Sequence, residues 1–153
     1  MKVLKVAVVG LAVMLFSGVS VMAQDEISDQ DLYNYALMDL SKEAIVAQIS
    51  PMVNDLIAQQ EGMTGQRFQE LQKAKGDFAS VSAQEWEIKF YNLVDGKISK
   101  KKQAAGDVVK VMASQLVGAS TYKAIKSGLK ADAALKGRYD AIKSAMKSSV
   151  PAS

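Results

Sequence analysis

Between Ser82 and Val117 the apolar residues return every three or four positions: Trp86, Phe90, Leu93, Val94 and Ile98, then Ala105, Val108, Val109, Met112 and Leu116. That spacing lays one apolar stripe along an α-helix and does not fit the period of two of a half-buried strand. It predicts one long helix over 82–117, opened by a capping box of Ser82 with Glu85. Gly96 and Gly106 each cost about 1 kcal/mol against alanine in a helix interior. A break at Asp95-Gly96 is therefore the competing reading. Either way the stripe has to be covered, and only other helices are on offer.

Upstream, Ser28 stands three residues before Asp31, a second capping-box pattern with an acid near the positive helix end. Behind it Leu32, Ala36, Leu40, Ala44 and Ala47 keep helical spacing, followed by Ile45, Ile49, Met52 and Leu56. Pro51 predicts a kink or a split near residues 47–50, and Gly62 ends the region. Thr64 caps a helix with Phe68, Leu71 and Ala74, stopped by Gly76-Asp77. Gly118–Thr121 reads as a turn with Ser120 as cap, before Tyr122, Ile125 and Leu129. Asp132 caps a last helix with Leu135, Tyr139, Ile142 and Met146 on one face. Ser148–Ser153, with Pro151, reads as a disordered tail. The expected fold is all-α, a small antiparallel bundle of about four to six helices in one domain over residues 24–147.

The first twenty-three residues read as an address rather than as fold. Lys2 and Lys5 precede an apolar run over Val6–Phe16, and Ser17, Gly18 and Ser20 break it before Val21-Met22-Ala23. A basic start, an apolar centre and a small-residue end describe a secretory signal peptide over 1–23. The eighteen uncharged residues from Val6 to Ala23 lie at the lower edge of spanning length, which makes a membrane anchor the alternative. No later segment reaches that length. The expectation is an exported protein, periplasmic or secreted, with no transmembrane segment after cleavage.

The chain has no cysteine and no histidine. That excludes disulfides, thiolate and imidazole metal sites, and Cys or Ser-His nucleophiles. No cofactor, metal site or catalytic residue is assigned. Glu85 and Glu87 flank Trp86, and a carboxyl beside a large apolar ring is a candidate for a raised pKa. They point to different helix faces, however, and Glu85 already caps. Asp29, Asp31 and Asp39 read as helix-start charge, and Asp-x-Asp at 29–31 lacks the rest of a calcium loop. Outside the signal segment the five methionines sit on or beside apolar stripes and read as core filler.

Charge is divided along the chain. Residues 24–95 carry thirteen acids and five bases, whereas residues 96–153 carry three acids and twelve bases. One reading is intramolecular, with oppositely charged helices as neighbours. The other takes Lys97, Lys100, Lys101, Lys102 and Lys110 as an outward basic ridge that meets an envelope protein or an anionic surface, either lipid headgroups or wall polymer. Nucleic acid is not expected, since no aromatic residue is interleaved with the lysines for stacking. The leading expectation is thus a non-enzymatic domain acting by surface contact. A carboxylate-dependent hydrolase of wall or glycan, needing two acids across a cleft, is the alternative. So is a holdase-like chaperone, needing a concave apolar surface.

Two stretches carry a resemblance. Ile27-Ser-Asp-Gln-Asp-Leu-Tyr-Asn-Tyr-Ala36 resembles the opening helix of a family of exported bacterial helical domains of unknown function. Ser120–Met146, with Tyr122, Ile125, Ala131-Asp132-Ala-Ala-Leu135, Arg138 and Ile142, is similar to that family's closing pattern. Thr64–Leu71 resembles the first half of the closing pattern. Residues 78–117 have no counterpart, and Ala133 stands where the family pattern has proline. The resemblance implies an exported all-helical fold and brings no functional residue with it.

Overall fold

The computed structural model describes residues 27–149. The signal peptide expected over 1–23 and the last four residues of the expected tail lie outside the described residues. Within them the chain is all-α, with no strand. Six α-helices follow in order: α1 (Asp29–Ala47), α2 (Ile49–Gln59), α3 (Gly65–Ala74), α4 (Glu85–Met112), α5 (Ala119–Ala131) and α6 (Ala133–Ser149). A π-helical turn, Ala113–Val117, continues α4.

Local chemistry sets most boundaries. Asp31 N–H donates to Ser28 Oγ at 3.1 Å, and Ser28 N–H donates back to the Asp31 carboxylate at 3.0 Å, the predicted box. Thr64 Oγ1 accepts from the Arg67 amide at 3.1 Å, and Asp132 Oδ1 accepts from the amides of Ala134 and Leu135 at 2.8 and 3.1 Å. Pro51 splits α1 from α2 at Gln48 and lies in the first turn of α2, where its missing N–H breaks no bond within that helix. The predicted long helix is unbroken at Gly96 and Gly106.

Three boundary expectations are corrected. Helix α4 begins at Glu85, because Glu87 rather than Glu85 closes the first turn, accepting from the Gln84 amide at 2.8 Å. Ser82 is instead in a tight turn at φ 47°. Helix α5 starts without a side-chain cap at Ser120; Gly118, at φ +87°, turns the chain out of the π-helical segment. Helix α6 runs through Ser149, two residues into the expected tail.

Two cores lie at opposite ends of α4. The first packs Leu32, Tyr35, Ala36 and Met38 of α1 against Val117, Ile125, Leu135 and Tyr139. The second packs Met63, Phe68, Leu71, Phe90 and Val94. Helices α1 and α2 run antiparallel to α4: Asn34 Nδ2 reaches the Leu116 carbonyl at 3.4 Å, and Gln48 meets Lys101. Helix α5 turns back into α6 so closely that a Cβ on Gly128 would come within 2.5 Å of Leu135 Cδ2. Helix α6 then lies along α1 in the same direction, Arg138 meeting Asp29 at 2.7 Å and Lys143 meeting Glu43 further on. On α1 the buried residues are Leu32, Tyr35, Ala36 and Met38. Ala44 and Ala47, predicted on the core stripe, are exposed, and Leu40 is half-buried.

Candidate functional site

The ionisable side chains gather where α6 lies along α1. Asp39 accepts a 2.5 Å hydrogen bond from Tyr139 Oη and stands 3.6 Å from Lys143 Nζ. One turn on, Glu43 takes Lys143 at 2.6 Å and Lys147 at 3.0 Å. Lys143 Nζ also lies 5.5 Å from the centre of the Tyr139 ring, within cation–π range. Asp39 is therefore no helix-start charge: it sits mid-helix and ties α1 to α6.

Burial pushes the Tyr35 hydroxyl up to about 12, and the Asp39 charge adds to it. Tyr139 is raised by burial and then by its hydrogen bond to Asp39. Burial works to lower Lys143, but its bonds to Glu43 and Tyr139 outweigh that and hold the ammonium above its ordinary value. Hydrogen bonds from Lys143 and Lys147 hold Glu43 below the usual carboxylate range. A carboxyl lowered in this way gives up its proton well before neutrality, the reverse of what a general acid needs. The cluster is built as a tether.

Glu87 has the same character at the other end of α4. It is only 5% exposed. Arg67 grips both of its oxygens, Nε at 2.7 Å and a terminal nitrogen at 2.8 Å. That guanidinium holds Glu87 at about 2 against the opposing effect of burial, with the Gln84 amide helping. The carboxyl beside Trp86 is thus lowered, not raised, because an arginine reaches it from α3 and the indole does not govern it. Trp86 Nε1 donates to Gln84 Oε1 instead, and the exposed Glu85 pairs with Lys89.

The five lysines expected as a ridge are not brought into one stripe. Lys97, Lys100, Lys102 and Lys110 are exposed and Lys101 is half-buried. Lys101 Nζ donates to Gln48 Oε1 at 2.6 Å, so the face of α4 it shares with Val108 turns toward the α1–α2 junction. At about 100° per residue, Lys97 and Lys100 keep to one side of α4 with Lys101, whereas Lys102 and Lys110 leave it in other directions. A second row lies on α5. Lys123, Lys126 and Lys130, spaced by three and four, are all exposed on one side of that helix. Lys110 and Lys123 stand at the rim of a cavity of about 320 Å³ walled by Val109, Ala113, Ala119 and Tyr122. None of these four lysines pairs with a carboxylate among the described residues. The periodicity rule that found the apolar stripes applies equally to these lysines. The three consecutive lysines at 100–102 fan over about 200° of α4, so they cannot all lie on one side of it.

The outer side of α1 forms a larger, apolar groove with the end of α6. Its volume is about 610 Å³, and Tyr33, Leu37, Leu40, Ala44 and Ala47 line it together with Met146. Among the described residues no three acids gather where a metal would bind, and no helix is long and apolar enough to cross a membrane. Comparison with protein families, with curated proteins and with solved structures finds no match for this chain.

Proposed function

We propose that this is an exported, non-enzymatic helical domain that works by surface contact with an anionic component of the envelope, and that α5 makes the contact. The reading rests on the row Lys123, Lys126 and Lys130, exposed and without a carboxylate partner among the described residues, with Lys126 over the Tyr122 ring and Lys110 beside the row. Its setting supports it. Residues 27–48 and 99–149, which build the first core and its surroundings, carry seven acids and twelve bases. Residues 49–98 carry seven acids and five bases. The protein is thus positive at one end even after α1 has partnered the bases of α6. Signal-like residues 1–23 and the resemblance to exported helical domains give the reading its compartment. Anionic lipid headgroups are the partner that fits best, because a row of lysines is a set of point charges with no shape to read a specific polymer.

The test is co-sedimentation of protein expressed from the full-length sequence with phosphatidylglycerol vesicles and with phosphatidylcholine vesicles. Binding is expected to the anionic vesicles only, and to fall with salt. Changing Lys123, Lys126 and Lys130 to Gln together is expected to weaken it about 100-fold, at about 1 kcal/mol per lysine near an anionic surface. The triple change Lys100→Gln, Lys101→Gln and Lys102→Gln serves as the comparison and is expected to cost much less. Equal losses from the two triple variants, or no binding to either vesicle, would overturn the assignment to α5.

A further inference from the structure

Helices α4 and α5 are joined by the π-helical turn Ala113–Val117, yet no Cα of α4 comes within 8 Å of a Cα of α5. The gap between them is the cavity of about 320 Å³. Small residues leave it open, Gly106 and Ala113 on one side and Ala119 on the other. Nothing stands within 4 Å of the place that a Cβ on Gly106 would take. Each helix brings to it an apolar residue followed directly by a lysine, Val109-Lys110 and Tyr122-Lys123. From this cavity and the two lysines at its rim we infer a binding site for one single-chain anionic amphiphile, a free fatty acid.

The walls set both halves of that ligand. Val109, Ala113 and Tyr122 pack on the first core from the other side. Ser114, the hydroxyl on the α4 side, is turned to its own backbone and donates to the Val111 carbonyl at 3.0 Å. Tyr122 is held by stacking on the buried Tyr35 at 5.6 Å, so this wall stands ready before any ligand arrives. A small inorganic anion would leave the apolar wall to water, and an uncharged chain would leave both ammonium groups unanswered. One amphiphile answers both. The volume lies at the small end of the range for ligand sites, room for one chain and not for the two of a diacyl lipid.

Charge separates this cavity from the other apolar recesses. The larger groove on α1 also has a lysine, but Glu43 holds Lys147 at 3.0 Å. Beside Trp86 and Leu93, Lys89 is held by Glu85 at 2.6 Å. Lys110 and Lys123 have no carboxylate partner among the described residues. The π-helical turn adds a second sign. Its first two residues, Ala113 and Ser114, are part of the wall, and π turns within helices recur at functional sites. The inference goes beyond the surface contact proposed above: it shares Lys123 with the row on α5 but needs no bilayer.

The test is isothermal titration calorimetry of protein expressed from the full-length sequence with butyrate, hexanoate, octanoate and decanoate, each below its micelle-forming concentration. Affinity is expected to rise about fourfold per added methylene until the cavity is full. Octanol, which has the chain without the charge, is expected to bind about tenfold more weakly than octanoate, and Lys110→Gln to weaken octanoate severalfold. Gly106→Leu puts a side chain into the gap and a better helix former into α4. It is expected to weaken octanoate at least tenfold while helical circular dichroism and vesicle binding are unchanged. Equal affinity for butyrate and decanoate would overturn the inference. So would octanol binding as well as octanoate, or full octanoate binding by Gly106→Leu. Octanoate binding that follows chain length and is lost in Gly106→Leu, in a protein that ignores both kinds of vesicle, would support this site and remove only the surface contact.

Discussion

The two ends of α4 are closed by different means. At the first core the partners come from far apart in the chain: Tyr139 bonds to Asp39, and Tyr35 packs on the rings of Tyr122 and Tyr139 at 5.6 and 5.8 Å. At the second core the partners are near neighbours. Phe68 meets Phe90 and Tyr91 at 6.1 and 5.9 Å, and Arg67 reaches Glu87 only twenty residues away. The first core spreads its polar contacts over several partly exposed ion pairs along α1 and α6. The second concentrates them on Arg67, which forks onto the buried Glu87 and also holds the more exposed Glu70 at 3.0 Å. Exposed pairs contribute little singly and tolerate loss, whereas removing one member of a buried pair strands the other. The second end is therefore the less redundant of the two.

The largest test of that contrast is Phe68→Ala. It removes a side chain 2% exposed and is expected to cost about 4 kcal/mol, in the range for Phe-to-Ala in a core. Hydrogen exchange should then show α2, α3 and the start of α4 opening before α5 and α6. Equal loss of protection at both ends would show the two cores to be one cooperative unit. Next comes Arg67→Met, which keeps length and apolar stem but leaves Glu87 buried without its cation. A drop of several degrees in Tm is expected, and the equivalent loss of Arg138, which meets the exposed Asp29, should be much smaller. Comparable drops would erase the distinction between the two ends.

The smallest effect is in pH. Glu87 stands at about 2 in the folded chain against an ordinary 4.5. A lowered carboxyl contributes stability that is complete above its unfolded value and disappears as pH falls through its folded value. Urea midpoints should therefore decline between about 4.5 and about 2. Glu87→Gln should be less stable at neutral pH and lose part of that decline. An unchanged acid slope in Glu87→Gln would mean that Glu43 and the first end carry the acid sensitivity.

Much of the fold is legible in the residue order because its causes are local. Ser28 with Asp31, Thr64, and Asp132 each cap through residues two or three positions away, and Pro51 acts on its own helix. Ser82 with Glu85 shows the limit. Gln84 with Glu87 offers a competing start two residues later, and Arg67, a residue on another helix, holds Glu87 in the position that makes it win. The lysines show a related limit. Lys97 to Lys110 are dense in sequence, but Gln48 takes Lys101 and the turn of the helix carries Lys102 and Lys110 away from the side of Lys97 and Lys100, while the row on α5 needs no tertiary information at all.

Residue order alone determined that the chain forms helices, where most of them begin, and that acids precede bases, since these follow from contacts within one turn and from composition. Tertiary structure alone decided which of the two apolar stripes of α1 is buried, and which of the divided charges remain free. Both stripes of α1 are greasy enough for a core; the packing of α4 and α6 chose one, and only that choice left Tyr33 and Leu37 facing outward. Likewise α6, laid along α1, used its own bases on Asp29, Asp39 and Glu43 and left those of α5 to solvent.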